Sequence, residues 1–147
     1  MKTLFLFLFL SFFSFSQKIM FEVYKTDLYK SYGKTDLETA IQNYDLITKD
    51  IELKEIFIFD LDSSILKINS YPNKESDTKS FNIDCVKKIN DSITIKSKIN
   101  LKSENVYHDF TAYINIDNEN SYIYLLFYDE IKNETTFLSV THFYFEK

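Results

Sequence analysis

The one cysteine of this 147-residue sequence, Cys85, and its two histidines, His108 and His142, are the candidate nucleophile and bases. A thiol beside an imidazole can act as nucleophile and base. Cys85, however, alternates in phase with Phe81 and Ile83, a face the pattern predicts to be buried. A free cysteine there packs as a small apolar group. His108 neighbours Asp109, but adjacent strand residues point to opposite faces, so the pair makes no dyad. His142 shares a face with Leu138, Val140 and Tyr144. No HxH or CxxC spacing accompanies these residues to gather a metal. The acidic turns Asp60-x-Asp62 and Asp117-Asn118-Glu119 offer oxygen ligands for calcium. They lack the glycine and the roughly twelve-residue spacing of a calcium loop, and turn chemistry accounts for Asp and Asn there. The expectation is a chain with no catalytic residues, no metal and no cofactor.

Binding is the better use of what remains. Tyr122, Tyr124 and Tyr128 share one strand face, and Tyr144 stands on the last strand. Rings so placed form a binding platform or a packed face, and these four are the candidate ligand-binding residues. Nucleic acid is an improbable partner. The net charge is −5, every basic residue is a lysine, and no basic cluster exceeds Lys87-Lys88. Lysine offers a point charge and cannot make the bidentate fork that arginine makes onto phosphate.

The first residues read as an export signal. Met1-Lys2-Thr3 carries the charge, Leu4 to Leu10 with Phe12, Phe13 and Phe15 supplies the apolar run, and Ser14-Phe15-Ser16 offers a small-x-small cleavage site. Cleavage after Ser16 would leave Gln17 first. The apolar stretch is shorter than the ~20 residues of a spanning helix, so no stable membrane span is expected after cleavage. Residues 1 to 16 are therefore expected to be a signal peptide, and residues 17 to 147 one β-rich domain in the periplasm or outside the cell. With one cysteine the chain forms no internal disulfide, and its core must hold it together.

Period-2 patterning runs through that domain. Ile19, Phe21 and Val23 alternate first. A short helix follows, where Thr35-x-x-Glu38 reads as a capping box and Leu37, Ile41 and Tyr44 fall at helical spacing. Strands then come in succession: Phe57, Phe59 and Leu61; Ile65 to Tyr71; Phe81, Ile83 and Cys85; Ile93 to Leu101; Phe110 to Ile116; Ser121 to Tyr128. The last strand sets Phe137, Phe143 and Phe145 opposite Leu138, Val140 and Tyr144. Strands 121 to 128 and 135 to 145 are apolar on both faces. The second face packs on the helix, forms a subunit interface or lines a cavity. With a single glycine, the hairpins must use Asn and Asp to reach positive φ.

About eight such strands at this spacing predict a mainly β fold, an antiparallel meander forming a barrel or strongly curled sheet with one short N-terminal helix. The alternative is an α+β curled sheet with the helix in its concave face. An exported, disulfide-free meander over residues 19 to 147 resembles the lipocalin-like barrels of the calycin class. Members of that class carry Gly-x-Trp near the first strand and a late arginine. Here Gly33 is followed by Lys34 and Thr35, and the chain has neither Trp nor Arg, so no ligand residues transfer. The reading is a non-enzymatic binding domain holding an apolar or amphipathic small ligand inside the barrel or at its mouth. Its rival is an envelope protein–protein interaction or inhibitor module using the tyrosine face.

Overall fold

The computed structural model describes residues 17–70, 78–100, 107–115 and 121–146. Its elements are β1 (Lys18–Tyr32), α1 (Leu37–Asn43), β2 (Asp45–Asp60), β3 (Ile65–Ser70), β4 (Lys79–Ile89), β5 (Ser92–Ile99), β6 (His108–Asn115), β7 (Tyr122–Asp129) and β8 (Glu134–Glu146). Each strand pairs antiparallel with its neighbour in sequence. β1 then pairs with β8 from Met20–Glu146 to Tyr32–Glu134, which closes the barrel. Closure leaves the ring without a free first or last strand, the way all-β domains remove exposed edges. The meander expected from the pattern is therefore present as a closed barrel.

Alternation sorts the wall into two faces. Phe21, Leu66, Ile95, Ile114, Ile123 and Leu125 are fully buried on the inside. Glu22, Lys54, Lys67, Lys96 and Lys98 stand on the outside. This is the reverse of a membrane-spanning barrel, whose outer band is apolar and whose lumen is polar. Among the described residues no helix is long and apolar enough to cross a membrane.

Phenylalanines fill the middle of the lumen. Phe57 lies 5.3 Å from Phe21 and 6.5 Å from Phe59, between ring centroids. Phe57 also lies 6.5 Å from Phe110, and Phe110 lies 5.2 Å from Phe127. β2 and β6 stand on opposite sides of the eight-stranded ring, so the Phe57–Phe110 contact spans it. Phe21, Phe57, Phe59 and Phe110 are each at most 1% exposed. An eight-stranded barrel is just narrow enough for side chains to meet this way.

The helix lies against the outer wall and not in a concave face. Its cap is Asp36, one residue beyond the expected Thr35: Asp36 Oδ1 accepts from the Thr39 N–H at 2.9 Å. Thr35 instead shares a hydrogen bond of 2.7 Å with the Tyr44 hydroxyl. Ala40, Leu126 and Phe137 are buried outside the barrel core, and Phe137 touches the rings of Tyr29, Tyr44 and Tyr124. The second apolar face of β7 and β8 is thus the dock for α1.

Two sequence expectations fail for one reason, the local register shift. A bulge between Ile83 and Cys85 places Cys85 opposite Lys96 on the outer wall, so the thiol is exposed and not buried. On β8, Leu138 and Val140 face inward, and a shift near His142 brings Phe143 and Phe145 inward as well. Phe137 alone of that trio faces outward. The turns do use non-glycine residues at positive φ: Asn90 at 52° and Asn133 at 50° among them. Gly33, at φ 80°, ends β1 and donates its N–H to Asn133 O at 2.8 Å. The Asp117-Asn118-Glu119 turn lies outside the described residues.

Truncating the ring that spans the lumen leaves a large cavity, so Phe57→Ala should lower stability by about 3–5 kcal/mol. Urea unfolding measures this, and a loss below about 1 kcal/mol would show that the contact is not structural.

Candidate functional site

The inner wall changes character along the barrel axis. At the end that holds the β2–β3 and β4–β5 turns, inward positions are mostly apolar, among them Ile19, Phe59, Ile93, Ile114, Ile123 and Phe145, although Lys88 stands opposite Ile93 beside the β4–β5 turn. At the other end, inward register positions carry ionisable groups. These are Lys30 on β1, Glu55 on β2, Lys79 on β4, His108 on β6, Asp129 on β7 and Glu134 on β8. Lys30 and Glu134 pair at 2.8 Å across the β1–β8 ladder. Asp129 is occupied by its own turn, accepting from the Ile131 and Lys132 N–H groups at 3.0 and 3.1 Å. Those bonds, the nearby His108 and Lys132 hold its carboxyl below the usual range.

Glu55 is the acid closest to the phenylalanines. It precedes Phe57 on the same face of β2 and pairs with Val23, which is 1% exposed. Phe57 meets Phe110 across the lumen, so Glu55 and His108 stand on opposite walls, one inward position nearer the mouth. Burial pushes the Glu55 carboxyl up from its ordinary value, and the attraction of Lys79 offsets only part of that.

Beside Glu55 the β1–β2 register breaks. Val23 pairs with Glu55 and Lys25 with Glu52, so one residue of β1, Tyr24, spans two of β2, Leu53 and Lys54. An extra residue on one strand unpairs the ladder and bends it. A cavity of about 370 Å³ lies at this seam, lined by Glu22, Val23, Tyr24, Lys54, Glu55 and Ile56. Glu22, on its outer rim, accepts a 2.5 Å hydrogen bond from the Tyr24 hydroxyl, and Lys54 leans to Glu52 at 3.7 Å. The next inward residue of β1 after Val23 is Thr26, 1% exposed, whose hydroxyl has no hydrogen-bond partner. A buried hydroxyl without a partner costs about 1–3 kcal/mol, so its retention is a departure from good packing.

The residues singled out in the sequence do not converge. Tyr122 and Tyr124 stack at 4.8 Å on the outer wall beside the α1 dock. Burial pushes the Tyr124 phenol up. Tyr128 donates to Asn133 Oδ1 at 2.9 Å at the β7–β8 turn and lies under Lys34, which pairs with Asp109. Tyr144, 62% exposed, pairs with Glu22 across the β1–β8 ladder. Cys85, His108 and His142 stand on three different strands, with His142 exposed beside Thr141. Among the described residues no group of three or more His, Cys, Asp or Glu side chains could hold a metal ion. Asp60 in the acidic turn accepts from the Ser63 N–H at 3.1 Å, and Asp62 from the Gln17 N–H at 3.0 Å. Glu55 is absent from the residues chosen by type and spacing. Its signal was an acid in phase with Phe57 and Phe59 on an otherwise apolar face.

Compared with known proteins, the chain matches no family model, no curated protein and no solved structure.

Because the folded state holds the Glu55 proton more tightly than the unfolded state, ionising it weakens the fold as pH rises through the raised folded value. Glu55→Gln should therefore be more stable than the parent at pH 7. The difference should shrink as pH falls toward the ordinary value of 4.5. Urea unfolding of both proteins across this range checks it, and a difference independent of pH would refute it.

Proposed function

We propose that the chain is a non-enzymatic binding domain, exported after removal of residues 1 to 16, that holds an amphipathic small ligand at the mouth of its barrel. The observation that carries this reading is the placement of Glu55. One inward-facing carboxyl stands next to the phenylalanines that block the lumen, and a cavity of about 370 Å³ reaches it. Small-molecule sites are concave, a few hundred Å³ in volume, mostly apolar, and carry a few converging polar groups. Val23, Ile56 and the Tyr24 ring supply apolar surface here, and Glu55 the polar group.

The stacked rings of Phe21, Phe57 and Phe110 leave the ligand to the mouth, because a closed aromatic contact takes up the width of the lumen. The arrangement favours binding over catalysis. The inward Glu55 carboxyl can orient a polar head beside the apolar surface of Val23 and Ile56. The protein-docking alternative finds its best surface on the outer wall, where Tyr144 and Tyr24 are 62% and 47% exposed. Tyr24 also lines the cavity, so a ligand and a partner docked on that ring would compete for it.

An uncharged apolar dye tests the reading. N-phenyl-1-naphthylamine should brighten on mixing with the protein and saturate at one dye per chain. Leu53→Trp, which adds bulk at the inward position next to Glu55, should weaken binding about tenfold, equivalent to ~1.4 kcal/mol. No brightening, or brightening indifferent to that substitution, would contradict a mouth site.

A further inference from the structure

Resting on the export reading, under which the chain is cut after Ser16, we infer that Asp62 is the receptor of the new N-terminus. Its carboxylate binds the α-ammonium of Gln17 and so protects Gln17 from closing into a pyrrolidone ring. The geometry for this stands at the packed end of the barrel, and none of its residues lines the seam cavity. The Gln17 N–H donates to Asp62 Oδ2 at 3.0 Å, and the Gln17 carbonyl accepts from the Leu61 N–H at 2.9 Å. Gln17 is thus held through both of its backbone groups, one step before Lys18 enters the ladder opposite Asp60.

The turn that presents Asp62 is itself fixed. Asp60 Oδ1 accepts from the Ser63 N–H at 3.1 Å, and Ser64, at φ 55°, accepts through its carbonyl from the Ile83 N–H at 2.8 Å. The Ser63 bonds, helped by Lys18, hold the Asp60 carboxyl below its usual range, so Asp60 has its partners already. Among the described residues no lysine forms an ion pair with Asp62. In the uncut chain Asp62 receives a neutral N–H. Cutting the Ser16–Gln17 bond turns that donor into an ammonium at the same place, and a charge-assisted hydrogen bond is roughly twice as strong as a neutral one.

An N-terminal glutamine cyclises when the lone pair of its α-nitrogen attacks the carbonyl carbon of its own side-chain amide. The new nitrogen–carbon bond forms, the amide carbon–nitrogen bond breaks, and ammonia leaves with a proton shed by the α-nitrogen. Only the neutral amine has that lone pair. An α-amine has an ordinary pKa of about 8, so at pH 7 a minority is neutral, and an opposite charge in contact lowers that minority further. Closing the ring would also exchange an ammonium, with three donors, for one neutral N–H facing the carboxylate. The charge on Asp62 therefore opposes the reaction at its first step.

The test follows the exported, processed protein by intact-mass spectrometry during incubation at pH 7. The chain should begin at Gln17 with its ammonia retained. Asp62→Asn should lose ammonia about two- to fivefold faster, the change expected when an exposed ion pair is removed. Salt at about 1 M, which screens exposed charges beyond ~3 Å, should bring the parent toward the variant's rate without any substitution. In urea sufficient to unfold both proteins, the two rates should coincide. A parent already cyclised on purification, a parent rate indifferent to salt, or equal or slower loss in folded Asp62→Asn would overturn the inference. A mature chain that begins at another residue would instead overturn the export reading.

Discussion

The contact on which the rest depends is the meeting of Phe57 and Phe110 across the lumen. A barrel of eight strands has room for one layer of large side chains or for a ligand, not both at the same height. Here the rings take the middle, and Phe21, Phe59 and Phe127 join them. Below that layer the inward positions are mostly apolar and packed. Above it the same alternation places Glu55, His108, Lys79 and the Lys30–Glu134 pair. The packed half supplies the hydrophobic burial that a domain with one cysteine cannot replace with a disulfide. It also gives the mouth a fixed floor.

The mouth is shaped by irregularity. At the β1–β2 seam the strands run out of step at Val23–Lys25, again between Thr26 and Leu28, and once more before Tyr29. Asp50, at φ 52°, sits in the second of these shifts and donates its N–H to Asp27 at 3.0 Å. Bulges of this kind re-aim side chains, and they cluster at barrel rims. The first lies beside an inward acid. The α1 helix does different work: it covers Phe137 and Leu126 outside β7 and β8, which makes those strands apolar on both faces. Of the candidate binding tyrosines, Tyr124 touches Phe137 in this layer and Tyr122 stacks on Tyr124, whereas Tyr128 and Tyr144 stand apart from it.

What the sequence revealed follows from this division. Period-2 alternation with polar turns is a local signal, and it gave eight strands, their order and the inward rows of β1, β2, β5, β6 and β7. The helix was legible from its spacing, although its cap moved from Thr35 to Asp36 because a carboxylate there reaches the Thr39 N–H. What stayed hidden depends on neighbours distant in sequence. The bulge after Ile83 turns Cys85 outward, and the shift near His142 moves Phe143 inward. Neither is written in the alternation of a single strand. Glu55 was visible as an acid in an apolar row, but its meaning needed Phe110 from the opposite wall.

The central claim is that the phenylalanine layer divides the barrel and confines a ligand to the mouth. Nuclear Overhauser effects from the rings of bound N-phenyl-1-naphthylamine to protein methyl groups test it most directly. The account predicts contacts to Thr26, Leu53 and Val23, and none to Ile114 or Ile123 beneath the layer. Contacts to Ile114 or Ile123 would mean that the rings part to admit the ligand, and the division proposed here would not exist.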